Sequence, residues 1–118
     1  MRTQIAAANW KMNTTLDQAT ELFQQLKQQL PVLQQHQQVI VAVPFPYLTL
    51  ATTTTLSLQN VYIAAQNCHH KASGAYTGEV SAEMLQSLGI QYVIIGHSER
   101  RNYYNESNAL LSMGKIFP

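Results

Sequence analysis

The 118-residue chain is long enough for one domain with a modest core. Apolar residues make up 46% of it and charged residues only 11%, less than half the usual share, so amides and hydroxyls must supply much of the polar surface. A formal net charge of +1 gives no electrostatic basis for binding nucleic acid or an anionic membrane, and no stretch approaches the ~20 apolar residues of a membrane-spanning helix. We therefore expect neither nucleic acid nor a membrane as a partner.

The first ten residues, MRTQIAAANW, lack the charged start, long apolar run and cleavage pattern of a signal peptide. Cys68 is the single cysteine and cannot form a disulfide within the chain. Both features suit a reducing cytoplasm, which is the location we expect.

Four short apolar runs predict strands at residues 4–8, 39–44, 61–66 and 92–96. The second and fourth runs, VIVAVP and YVIIG, are continuously apolar rather than alternating. Such runs are typical of strands that are buried on both faces of a parallel sheet.

Helical patterns separate these runs. The clearest has an apolar stripe at intervals of three and four residues, begins with a capping-box pair (Thr15 and Gln18) and ends at Pro31. The stripe consists of Leu16, Ala19, Phe23, Leu26 and Leu30.

Two shorter helices are predicted at residues 47–56 and 81–88. The first contains four consecutive threonines, which are poor helix formers, so packing must hold it. The second has Ser81 as its N-cap and Gly89 just past its end. Alternating strands and helices predict right-handed βαβ units and an α/β fold.

The first polar segment at a predicted strand end is Asn9-Trp10-Lys11-Met12-Asn13. Proteins with parallel sheets place ligands at this end of their strands. A lysine there can attract a phosphate or stabilise a developing oxyanion. Spacing alone favours the alternative, a solvated Lys11 beside a packed Trp10.

The second such segment is Gly96-His97-Ser98-Glu99-Arg100-Arg101, after the fourth run. At a strand end, His97 can donate a hydrogen bond to a substrate carbonyl, and Glu99 can orient a nearby cation. We read the segment as a tight turn that the two arginines lock. The alternative is a loop histidine within an ordinary ion-pair cluster.

The third segment, residues 67–80, is long for a connection without a helical or strand pattern. Such length favours a functional loop, although a plain surface excursion is the alternative. Cys68, His69 and His70 are adjacent in it, but this spacing fits no standard metal site, so we predict no metal.

Three sequences from these segments resemble triosephosphate isomerases in identity, order and spacing: AANWKMN, AAQNCHHKASGAYTGEVSAEML and YVIIGHSERRNYYNES. The resemblance runs from about residue 4 to about residue 111, and VPFPYL also stands where the family has it. Other phosphosugar barrel enzymes share the fold but not these residues.

The resemblance implies an aldose–ketose isomerase that interconverts dihydroxyacetone phosphate and glyceraldehyde 3-phosphate through an enediolate, without a cofactor. By motif position, Lys11 would stabilise substrate charge, and Asn9 would line the same site. His97 would be the neutral electrophile that polarises the carbonyl and passes a proton between the two substrate oxygens. Glu99 would hold Lys11 or relay a proton.

The resemblance also implies a homodimer that works in glycolysis and gluconeogenesis. In the third segment, Thr77 resembles the residue that reaches into the neighbouring active site. Tyr76 is then expected to anchor the same interface.

The family's (β/α)₈ TIM barrel takes about 250 residues. Residues 1–118 therefore correspond to a single partial domain, a half barrel of about four parallel strands and three to four helices. The general-base glutamate of the family falls outside them, and we expect the chain alone to be inactive. Residues 112–118 depart from the family pattern, since Gly114 and Pro118 oppose a helix.

Four strands of a barrel would expose two sheet edges and one apolar interior face. The burial lost amounts to several large side chains at about 1.5–3 kcal/mol each, comparable with a whole domain's stability. We expect a marginally stable, self-associating chain. A second hypothesis is therefore a non-catalytic assembly module that pairs with another chain or with itself.

Overall fold

A computed structural model describes residues 1–108 and 110 of the chain. Within this range, strands and helices alternate as predicted. They are β1 (Gln4–Asn9), α1 (Leu16–Gln29), β2 (Gln37–Val43), α2 (Leu48–Thr55), β3 (Val61–Ala65), α3 (Ala82–Ser87), β4 (Tyr92–Val93) and α4 (Ser98–Tyr103), with a 3₁₀ turn at Phe45–Tyr47 before α2. The predicted departure at residues 112–118 lies outside the described residues. No helix in the described part is both long and apolar enough to cross a membrane.

The four strands form one parallel sheet in the order β1-β2-β3-β4. The register aligns Asn9 with Ala42 and Ala42 with Ala64, so the carboxyl ends of the strands lie at one edge of the sheet. The predicted α/β half barrel is confirmed. It leaves β1 and β4 as the sheet edges, and every residue of β1 is exposed.

Helix α1 begins at the predicted capping box. The Thr15 hydroxyl accepts from the Gln18 amide at 3.5 Å, and the Gln18 side chain accepts from the Thr15 amide at 2.9 Å. Phe23 on the apolar stripe is buried and stacks on Trp10, with ring centroids 4.8 Å apart. This contact connects the helix to the segment that follows β1.

Helix α2 is held by packing, as its threonine content requires. Leu48, Ala51 and Thr55 are buried on one face of it. The Thr52 and Thr55 hydroxyls donate to carbonyl oxygens one turn earlier, at 3.0 and 2.8 Å, so the buried hydroxyl of Thr55 keeps a partner.

The fourth strand is shorter and more exposed than predicted. The sequence predicts 92–96 as a strand buried on both faces, but β4 spans Tyr92–Val93, which are only half-buried, and Ile95 is 37% exposed. As an edge strand, β4 pairs only with β3; the Ile94 amide still bonds to the Ala65 carbonyl at 2.9 Å, and the chain then turns at Gly96 with φ 63°.

The predicted turn occurs at Gly96, where Arg101 Nε donates to the Gly96 carbonyl at 2.7 Å, and the residues after it form the short helix α4, which was not predicted. Glu99 lies in its first turn, and Arg100 and Arg101 lie in its last. Charges placed in this way complement the helix dipole, which explains why this polar segment is helical.

We expect Phe23→Ala to destabilise the chain by about 3–5 kcal/mol, because it leaves a cavity against Trp10 and the sheet. Urea denaturation followed by circular dichroism measures the change. Val32→Ala is the control: Val32 is 94% exposed, so its truncation should cost no more than about 0.5 kcal/mol. Equal losses for both variants would contradict the packing described.

Candidate active site

A cavity of about 410 Å³ opens at the carboxyl edge of the sheet. This volume lies within the usual range for small-molecule sites. Residues at or after the ends of all four strands line it: Asn9 at the end of β1 and Lys11 after it, Phe45 after β2, Gln66 and Asn67 after β3, and His97 and Glu99 after β4.

Lys11 and Glu99 form an ion pair in this cavity. The Lys11 Nζ lies 2.9 Å from Glu99 Oε1, and both side chains are about half exposed. The hydrogen bond from Lys11 lowers the pKa of Glu99 below its ordinary value; desolvation opposes this shift, while the Lys11 charge and the neighbouring His97 add to it. Glu99 is therefore an ionised partner for the lysine at neutral pH.

Asn9 presents its amide group to the cavity as a donor. Its Oδ1 accepts from the Lys11 backbone amide at 3.0 Å and from the Gln66 side chain at 3.2 Å. Because both bonds occupy the oxygen, the NH₂ group remains for an oxygen atom of a ligand.

His97 caps the N-terminus of α4 through its ring. Its Nδ1 accepts from the Glu99 backbone amide at 3.2 Å. Nδ1 also lies 3.5 Å from Glu99 Oε2, a contact that would need a proton on that nitrogen. The shorter amide bond requires a bare Nδ1, so this geometry assigns the ring proton to Nε2.

The structure brings four of the predicted site residues together and leaves two apart. Asn9, Lys11, His97 and Glu99 share the cavity, whereas Tyr76 and Thr77 lie in the exposed part, residues 71–79, of the third segment. The Tyr76 ring packs beside His69, with centroids 4.7 Å apart, and against Gly74, where an added Cβ would lie 2.9 Å from the ring. An interface role for this loop stays a prediction.

Sequence reasoning missed Gln66 and Asn67 as site residues. Both follow β3 directly and line the cavity, and Asn67 is only 8% exposed. The signal was present, because a polar pair at the end of the apolar run VYIAA satisfies the same rule that singled out Lys11 and His97.

Within residues 1–108 and 110, no three metal-ligating side chains cluster together. Burial raises the pKa of the Cys68 thiol, and the Glu106 carboxylate raises it further. A protonated, partly buried thiol is neither a good metal ligand nor a good nucleophile.

The parallel half barrel, with its polar groups gathered at the carboxyl ends of the strands, belongs to the (β/α)-barrel class. A family profile described as triosephosphate isomerase matches residues 4–114. The chain belongs to the triosephosphate isomerase family and corresponds to its N-terminal half.

Curated relatives agree with this assignment. The chain is 46% identical over 108 residues to the triosephosphate isomerase of Clostridium botulinum (strain Loch Maree / Type A3), covering 92% of this chain and 42% of that protein. It is 44% identical over 116 residues to the triosephosphate isomerase of Cytophaga hutchinsonii, covering 95% of this chain and 44% of the relative. The chain thus spans less than half the length of these relatives.

We expect the pKa of Glu99 in the 118-residue chain to lie below that of an ordinary glutamate, and Lys11→Met to raise it. A depressed carboxyl pKa stabilises the fold above the unfolded-state pKa, and this contribution is lost as the pH falls through the folded-state pKa. Carbon-detected NMR titration of the side-chain carboxyl measures both values. Lys27→Met, which removes a lysine from the last turn of α1, is the matched control and should leave the titration unchanged. An unchanged Glu99 titration in Lys11→Met would refute the ion pair.

The neutral His97 ring should be the Nε2–H tautomer. Long-range ¹H–¹⁵N correlation spectra distinguish a bare Nδ1 from a bare Nε2 directly. Observation of the proton on Nδ1 would show that the amide bond from Glu99 is absent in solution.

Proposed function

We propose that this chain supplies the substrate-binding and electrophilic half of a triosephosphate isomerase active site. The reaction interconverts dihydroxyacetone phosphate and glyceraldehyde 3-phosphate through an enediolate. One observation carries the proposal: Lys11 and His97, which follow the two opposite edge strands β1 and β4, line a single cavity.

The cavity offers donors where negative charge would develop. The Lys11 ammonium would attract the anionic substrate, and the Asn9 amide would donate to one of its oxygens. The His97 Nε2–H would donate to the carbonyl oxygen and polarise it. As the enediolate forms, the same nitrogen would give its proton to one oxygen and take a proton back from the other.

The cavity lacks a free base among the described residues. Glu99 is the single carboxylate that lines it there, and it is bonded to Lys11. A carboxylate with a lowered pKa is a weaker base than an ordinary glutamate, so it is poorly suited to abstract a proton from carbon. The chain alone should therefore bind a triose phosphate without isomerising it.

The proposal includes the family's homodimer, with Tyr76 and Thr77 at the interface, and a role in glycolysis and gluconeogenesis in the cytoplasm without a cofactor. The exposure of residues 71–79, in which Tyr76 retains 41% of its surface, supports the interface. The names of the relatives support the role in triose phosphate metabolism.

A second candidate function is a non-catalytic assembly module. The observation that favours it is β1, an edge strand with all six residues exposed. Its outer edge offers backbone groups for pairing with another chain. In this case the polar cavity would have no catalytic role.

Turnover of glyceraldehyde 3-phosphate tests both candidates when the 118-residue chain is assayed alone and after co-expression with the remaining C-terminal part of the Clostridium botulinum relative. We expect no turnover from the chain alone and turnover from the assembled pair. In the pair, His97→Ala should reduce kcat by about 10²-fold or more, as loss of a general acid–base group does. Lys27→Met, in the last turn of α1, should leave kcat unchanged.

If the chain alone turns over the substrate and His97→Ala abolishes that turnover, the inference that the chain lacks a general base is wrong. A pair that assembles and is indifferent to His97→Ala and Lys11→Met would favour the assembly module instead.

A further inference from the structure

We infer that Gln66 is a positioning residue for Lys11, and that its side-chain amide fixes the backbone from which the lysine reaches the cavity. The catalytic meaning of this inference rests on the proposed function. Its structural content stands on the geometry at the carboxyl edge of the sheet.

The backbone of Lys11 adopts a conformation that needs support. Its φ is 57°, in the left-handed region that non-glycine residues rarely enter. Thr14, at the other end of the same loop, has φ 78°. Such conformations persist where surrounding contacts over-determine them, often at functional sites.

The Gln66 amide supplies these contacts. Its Nε2 donates to the Lys11 carbonyl at 2.9 Å and lies 3.2 Å from Asn9 Oδ1 and 3.4 Å from the Ala42 carbonyl. All three neighbours are oxygen acceptors, so the amide nitrogen rather than the amide oxygen must face them.

The peptide groups on both sides of Lys11 are thereby held. Its N–H donates to Asn9 Oδ1 at 3.0 Å, its C=O accepts from Gln66, and Gln66 in turn holds Asn9. With the backbone fixed in this way, the Lys11 side chain is directed to Glu99, 2.9 Å from its ammonium.

Gln66 makes these bonds across an intervening strand. It follows β3, reaches past Ala42 of β2, and contacts the loop after β1. Its neighbours Ala65 and Asn67 are 0% and 8% exposed, so the side chain extends from a well-packed base. Asparagine is one methylene too short for this span, and glutamate would turn carboxylate oxygens toward three acceptors.

Tyr47 provides a matched comparison. Its hydroxyl donates to the Thr14 carbonyl at 2.9 Å, a hydrogen bond that tethers the far end of the same loop and does not involve Lys11. Tyr47→Phe therefore removes one loop hydrogen bond but should leave the lysine in place.

The experiment measures the pKa of Glu99 by NMR in the 118-residue chain, because that pKa reports the hydrogen bond from Lys11. We expect Gln66→Met to raise the pKa of Glu99 toward its ordinary value and to move the Lys11 backbone couplings away from those of a positive φ. Tyr47→Phe should change neither. A folded Gln66→Met variant that keeps both native values would overturn the inference, as would an equal response to Tyr47→Phe.

Should Gln66→Met fail to fold, the unmodified chain still decides the question. A hydrogen-bond scalar coupling from Gln66 Nε2 to the Lys11 carbonyl carbon is expected, and its absence would overturn the inference.

Titration with dihydroxyacetone phosphate tests the proposed function separately. Binding that perturbs Lys11 and His97, and that a folded Gln66→Met variant weakens about tenfold, supports both the proposed function and the positioning role. If dihydroxyacetone phosphate perturbs neither Lys11 nor His97 in the wild-type chain while Gln66→Met still raises the pKa of Glu99, the proposed function is refuted and the positioning role stands.

Discussion

The parallel alignment of the four strands is the constraint on which the site depends, because it brings every strand's carboxyl end to the same edge. Alignment alone does not bring Lys11 to Glu99. Three inter-strand spacings separate β1 from β4, about 14 Å across a flat sheet. The long side chains of Lys11 and Glu99 extend into the shared cavity from the segments after these two strands, and their 2.9 Å ion pair closes this separation.

Local signals in the sequence predicted the parts of the fold that local physics controls. The capping box at Thr15 and the N-cap at Ser81 lie where the sequence placed them, and the parallel arrangement of the strands followed from alternating patterns. The fourth strand was overestimated because its length depends on having one neighbour rather than two. The strand-end rule could have placed Gln66 at the site, but its bond to Lys11, a residue 55 positions away, is a contact that periodicity does not report.

Burial differs sharply between the helical layer and the edge strand β1. The helical layer is well packed, with Phe23, Leu48 and Leu85 almost fully buried. Ile5 on β1, by contrast, keeps 56% of its surface among the described residues. Burial against helices can therefore hold the strands in register while β1 remains an exposed edge. All four strands that carry the polar site contact the packed helical layer or each other, and these contacts hold the site residues in place.

The Lys11–Glu99 ion pair contacts the Lys11 ammonium group, whereas the hydrogen bonds around the Lys11 backbone hold its main chain. Both side chains of the pair are about half exposed, and exposed ion pairs contribute little to stability. So weak a pair cannot by itself hold a residue in a left-handed backbone conformation, but it can give up its lysine to an incoming anion at little cost. Asn9 and Gln66 act on the backbone instead, through bonds that a ligand need not break. The lysine can then change partners while its backbone stays in place.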